Sequence, residues 1–192
     1  MNLHDPSVAV PESKQALTYL KEGNERFVND KTMPRDTNKA DRDKTSGGQK
    51  PFAAILTCAD SRVAPEIYFD QKIGDIFVCR NAGNIADQSV RGSFEFAAAV
   101  LGVKLIVVVG HSACGAVINA YNKASGLPDN LQAVLDGIQP NVAGSPDAEA
   151  GAWANVRKQV EDIANNPVVK EKGIPVVGAK YDIATGKVTF EE

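Results

Sequence analysis

The chain has 192 residues, 43% of them hydrophobic, enough to bury one sizeable core, so a single domain over residues 1–192 is expected. A formal net charge of -3, with Lys and Arg scattered rather than clustered, argues against a nucleic-acid partner. No stretch approaches the roughly 18–20 apolar residues of a membrane span, and residues 1–11 lack the cationic start and apolar run of a secretory signal, so a cytoplasmic protein with no membrane partner is expected.

Within residues 11–29, Ala16, Leu17, Leu20, Phe27 and Val28 recur at helical spacing among Lys, Glu and Arg, which predicts an amphipathic helix. Residues 30–50 are polar, with Pro34, Gly47 and Gly48, and read as a loop wrapping over another surface. The apolar stripe before them therefore needs a covering face, in this chain or in a second copy. Residues 1–48 form an N-terminal helical arm and loop, and residues 49–192 an α/β core. Short runs at 52–57, 75–79 and 105–109 are rich in Val, Ile or Phe without strict alternation, as expected of parallel strands covered on both faces. A helix over 89–101 separates the second and third runs, and Gly102 is placed to end it. Residues 115–123 read as helical, and 131–165 as one or two helices broken near 140–146. Residues 173–182 and 187–190, joined by Ala184-Thr185-Gly186, read as a final strand pair. The class is α/β: a mainly parallel central β-sheet flanked by helices, with an N-terminal helical arm and a C-terminal strand pair.

Three cysteines, an odd number in a chain of this size, argue against a disulfide framework and for thiolate or metal chemistry. Of the two histidines, His4 sits in the terminal tail, which leaves His111 as the one held in place. Cys58 directly follows the first strand run, and His111-Ser112-Ala113-Cys114 directly follows the third. In open parallel sheets, that carboxyl edge is where ligands bind. Two thiolates and an imidazole suit zinc, and three protein ligands leave a fourth tetrahedral position open. His-X-X-Cys alone is a weak signal, since a cysteine after a strand is often just a small buried residue. Cys79, inside its apolar run, takes that core role.

In Cys58-Ala59-Asp60-Ser61-Arg62 a carboxylate and a guanidinium lie two residues apart. In isolation such a pair is a surface contact. Beside a zinc ligand, Arg62 can hold Asp60 ionised by a bidentate contact, and Asp60 can accept a hydrogen bond from a metal-bound water. Arg80-Asn81-Ala82-Gly83-Asn84, after the second run, is a third strand-end loop whose residues suit a turn.

These segments, together with Val63-Ala64-Pro65-Glu66 and Gly110 to Ala116, resemble the β-class carbonic anhydrases in content, order and separation. The likeness runs from about residue 49 to 117, with a weaker stretch at 181–188. It implies one zinc per chain on Cys58, His111 and Cys114, with Asp60 and Arg62 as the catalytic dyad. The implied reaction is reversible hydration of carbon dioxide to bicarbonate and a proton by zinc-bound hydroxide. The resemblance also implies a homodimer or dimer of dimers, with the N-terminal helix crossing onto the partner. It assigns Gln49 and Phe77 to the carbon dioxide pocket, and puts Phe96 where a Tyr is common, so the wall stays apolar and a hydroxyl is lost. In some members the residue matching Asp60 closes onto the metal at low pH. A bicarbonate-regulated subgroup carries Trp and Gly where this chain has Ile55 and Thr57, so no such regulatory site is expected and the centre is expected open. With His111 on the metal, no histidine proton shuttle is expected. Two other readings are a carbonyl sulfide or carbon disulfide hydrolase on the same scaffold, and a noncatalytic zinc-binding interaction protein.

Overall fold

The computed structural model describes residues 9–34 and 38–191; His4 lies outside them. The helix predicted near the N-terminus is α1, Ser13–Val28. Within the polar stretch read as a loop, Lys39–Thr45 forms a short helix, α2, with no buried residue. The side chain of Asn38 accepts from the Asp41 N–H and so caps it. A helix held by its cap rather than by an apolar face leaves no hydrophobic period to read.

The core follows as β1 Ala53–Cys58, α3 Pro65–Tyr68, β2 Ile76–Asn81, α4 Gln88–Phe96, a π-helical turn Ala97–Leu101 and β3 Ile106–His111. Next come α5 Gly115–Tyr121, α6 Asp129–Val142, α7 Ala148–Ala164, α8 Pro167–Glu171, β4 Val176–Tyr181 and β5 Val188–Phe190. The strands form one sheet in the order β2-β1-β3-β4-β5, parallel except for β5, which runs antiparallel to β4. Every residue of β1 and β3 is buried, which explains their unbroken apolar runs. One buried cluster joins Ile55, Val107 and Val109 to α1, α3, α5 and α6. The other joins Ala54, Leu56, Ile106 and Val108 to α4, α7 and α8.

The helix predicted over 89–101 changes pitch at Ala97, and Gly102 ends it in the left-handed region at φ 70°. The break in the 131–165 stretch falls after Val142, with Pro140 inside the last turn of α6; Asp147 then starts α7 by accepting from the Ala150 N–H. The short helices α3 and α8 were not anticipated; each begins with a proline, Pro65 and Pro167, pre-set for a first helical turn. No helix among the described residues is long and apolar enough to cross a membrane.

Part of the α1 stripe packs on this chain itself, while Val28 at its end stays exposed. Ala16 and Leu20 are fully buried. A Cβ on Gly23 would stand 1.8 Å from the Phe69 carbonyl oxygen, so only glycine permits this approach. Asn24 donates to the Tyr68 and Gly186 carbonyls and accepts from the Val188 N–H, at 3.0, 2.8 and 2.8 Å. Arg26 donates to the buried Asp70 at 2.6 Å. These polar contacts supply the match that an apolar-period reading left open.

Candidate metal centre

Because β1 and β3 are adjacent and parallel, with Thr57 beside Val109, their carboxyl ends bring Cys58 and His111 together. Beyond β3, Ala113 takes φ 53°, and this left-handed step returns the chain so that Cys114 sits at the start of α5. The ligating atoms of Cys58, His111 and Cys114 all lie within 4.8 Å of one another, and all three residues are buried.

Ser112 fixes the imidazole. Its N–H donates to the Tyr181 carbonyl and its hydroxyl oxygen accepts from the Ile183 N–H, both at 2.9 Å. Its carbonyl lies 2.9 Å from His111 Nδ1. A carbonyl can only accept, so Nδ1 carries the proton and Nε2 presents its lone pair. That Nε2 is buried with no hydrogen-bond partner. Leaving such an acceptor empty costs about 1–3 kcal/mol; a cation held jointly with the two sulfurs would satisfy it.

The thiols are primed for the same role. Cys58 is shifted well below the ordinary thiol range, chiefly by a hydrogen bond from Cys114, against the opposing effect of burial. The N–H groups of Gly83 and Asp60 assist. Cys114 moves the other way, because it holds the proton in that bond and is itself buried. A divalent cation replacing that shared proton would take both sulfurs as thiolates. The donor set therefore fits zinc.

Asp60 and Arg62 form the bidentate pair expected of them. Asp60 Oδ1 accepts from the Arg62 backbone N–H and from Nε, each at 2.9 Å, and Oδ2 accepts from Nη2 at 2.7 Å. The Arg62 guanidinium holds the Asp60 carboxyl well below the usual carboxylate range. Arg80, read as turn chemistry, has a larger part: it donates to the carbonyls of Cys58 and Asp60 at 3.0 and 2.6 Å, fixing the segment that carries both. Asn81 closes the next loop on itself, accepting from the Ile85 N–H and donating to the Ile85 carbonyl, each at 2.8 Å. Gly83 donates its N–H to Cys58 Sγ at 3.4 Å. Sequence reading also missed Ser112, together with Asn155 and Gln159 of α7, which hold the 81–87 loop. The available signal was a pair of amides four residues apart on an otherwise small and apolar helix stripe.

Two of the three residues expected in the carbon dioxide pocket lie away from this group. Phe77 and Phe96 meet with ring centroids 6.4 Å apart. Phe77 pairs with Ala54, whereas Cys58 pairs with Asn81; four strand residues separate the two levels, roughly 13 Å. Gln49 is exposed and Phe96 is 45% exposed. Phe77, and Phe96 packed on it, therefore lie away from the chain's own centre. Cys79 packs partly buried against the α4 side of the sheet, and burial pushes its thiol up, in keeping with the core role.

A family model described as carbonic anhydrase matches residues 53–188. The chain is 37% identical over 190 residues to carbonic anhydrase 2 of Mycobacterium tuberculosis, with 92% of each chain covered. It is 34% identical over 194 residues to a carbonic anhydrase of Mycolicibacterium smegmatis, covering 93% of this chain and 94% of that one. Among solved structures it is similar to a tetrameric β-carbonic anhydrase of Sordaria macrospora, with TM-score 0.70, 28% identity and coverage of 92% and 96%. A Coccomyxa β-carbonic anhydrase, in complex with acetazolamide, gives TM-score 0.69, 26% identity and coverage of 91% and 85%. The likeness spans the sheet and both loops that carry the Cys-His-Cys group, and the chain belongs to the β-class carbonic anhydrases, enzymes whose general reaction is the reversible hydration of carbon dioxide.

Proposed function

We propose that this chain interconverts carbon dioxide with bicarbonate and a proton at a zinc ion held by Cys58, His111 and Cys114. The observation that carries the reading is the buried, unpartnered Nε2 of His111, oriented by the Ser112 carbonyl and facing two thiols. When bound, zinc would supply an acidified water as nucleophile, less acidic beside two thiolates than beside three neutral imidazoles.

The chain's own residues do the rest. Asp60, kept ionised by Arg62, has two bonds on Oδ1 and one on Oδ2, so Oδ2 keeps a lone pair free to accept from the nucleophile and orient it. Arg80 holds the Asp60 backbone in place for this contact. Among the described residues His111 is the one histidine, so water or buffer takes the proton.

Gln49, Phe77 and Phe96 serve in this reading as pocket residues for the centre of a second copy. The distance of Phe77 and Phe96 from the chain's own centre and the exposure of Gln49 and Phe96 support that role. The assembly is then a homodimer or dimer of dimers, and one of the similar structures is tetrameric. Residues 49–192 are the zinc-binding core, residues 1–48 its arm, and the place of work is the cytoplasm.

Stopped-flow hydration of carbon dioxide by zinc-loaded protein, with metal analysis, tests the proposal. About one zinc per chain and turnover rising with pH are expected. Zinc-loaded protein without hydration would overturn it, and preferential turnover of carbon disulfide in a side-by-side assay would replace it with the sulfur-hydrolase reading.

A further inference from the structure

We propose that Asn155 and Gln159 of α7 are positioning residues: they hold the 81–87 loop so that the Gly83 N–H stays aimed at Cys58, and thereby set how tightly the centre holds its metal. This deepens the zinc reading above and rests on it.

Asn155 and Gln159 are 0% and 2% exposed. The other buried positions of their helix are Gly151, Ala152, Val156 and Ile163, a stripe in which amides cost free energy unless every polar group is matched. Here each is matched. Asn155 Nδ2 donates to the Gly83 carbonyl at 2.9 Å, and its Oδ1 accepts from Asn141 at 3.0 Å and from Gln159 Nε2 at 3.3 Å. Gln159 Oε1 accepts from the Ala86 N–H at 2.8 Å. The two side chains thus grip the loop at residues 83 and 86.

Helix α7 reaches the loop because the sheet beneath it carries glycine. A Cβ on Gly110 would stand 2.6 Å from Val156, and one on Gly178 would stand 3.1 Å from it. What the grip secures is the 3.4 Å contact from the Gly83 N–H to Cys58 Sγ. A donor held on a ligating sulfur draws off part of its charge and fixes its direction, which tunes both affinity and electronic structure at the metal. Leu and Met would serve packing alone at these two positions; amides serve the loop.

The test uses full-length protein, metal-stripped and reloaded with zinc or cobalt(II). Asn155→Leu should bind zinc roughly 10- to 100-fold more weakly in chelator competition, and its cobalt(II) form should show the thiolate-to-cobalt charge-transfer band at longer wavelength than wild type. Gln159→Met, which frees the Ala86 end and removes one donor to Asn155 but leaves the Asn155 bond to Gly83, should move both in the same direction by less. Ile163→Ala, buried on the same helix but away from the loop, should lower stability and leave both at wild-type values. If folded Asn155→Leu and Gln159→Met keep the wild-type band and affinity, or if Ile163→Ala moves them equally, the positioning role is overturned. Should Asn155→Leu fail to fold, Gln159→Met against Ile163→Ala decides alone. Wild-type protein that takes up neither metal would overturn the zinc reading itself, an outcome visible before any variant is compared.

Discussion

Gly83→Ala places a methyl where two constraints meet, and their sizes can be separated. The backbone there has φ 73°, a conformation that costs a residue with a Cβ about 1–2 kcal/mol. The added Cβ would also stand 2.3 Å from Ile138 Cδ1 and 3.3 Å from the Ala116 Cβ; overpacking of this kind costs about 1–3 kcal/mol. The single variant should therefore lose about 2–5 kcal/mol. Ile138→Val deletes the Cδ1 atom at a cost of about 0.5–1.5 kcal/mol, and the nearest remaining Ile138 atom, Cγ1, lies at 3.4 Å. In the double variant the collision with Ile138 is gone, while the backbone cost and the tight Ala116 contact persist, so the pair should couple favourably by about 1–3 kcal/mol. Urea unfolding of the four proteins, metal-free and under reductant, closes the cycle. Because Gly83 donates to Cys58, zinc affinity should fall in Gly83→Ala and partly recover in the double variant. Additivity within about 0.5 kcal/mol would refute the collision as the reason for glycine at this position.

Asp60→Asn should keep its zinc while hydration falls roughly 100-fold or more, as expected when a group that orients the reacting molecule is lost; unchanged turnover would remove Asp60 from the mechanism. Cys114→Ser should lose most of its zinc by elemental analysis, and full zinc content would sink the ligand assignment. Asn24→Leu breaks three buried hydrogen bonds that dock α1; at about 1 kcal/mol each the expected loss is about 3 kcal/mol, read from the urea midpoint. The Asp182 carboxylate is lowered by hydrogen bonds from Thr185, first from its hydroxyl and then from its N–H. A depressed folded value means that its contribution to stability is fully present above the unfolded value of about 3.9 and fades as pH falls through the lower folded one. Wild type and Asp182→Asn should accordingly converge in stability only as pH falls below the unfolded carboxylate value and on through the lower folded one; a difference that vanished at neutral pH would contradict the assignment.

Much of the centre was legible along the chain because its chemistry sits in short segments next to strands. A cysteine after the first apolar run and His-X-X-Cys after the third had to share one sheet edge once the runs were parallel neighbours. The Asp60–Arg62 contact spans two residues and needs no tertiary information. The short helices were less legible: α2, α3 and α8 rest on caps and prolines rather than on apolar periods. Asn155 and Gln159 lie far from the ligands in sequence, and only the approach of α7 over Gly110 and Gly178 shows what their amides reach.

The sequence by itself determined the α/β class, the strand positions, the three candidate ligand residues and the Asp60–Arg62 pair, because spacing of two to four residues and unbroken apolar runs are local properties of the chain. The tertiary structure alone decided the rest. It showed that α1 closes on its own chain through Gly23, Asn24 and Arg26, that Phe77 and Phe96 pair a strand's length from the centre, and that His111 Nε2 is left buried and unpartnered. Each of these depends on which surfaces meet across many residues of chain, and a spacing pattern carries no record of that meeting.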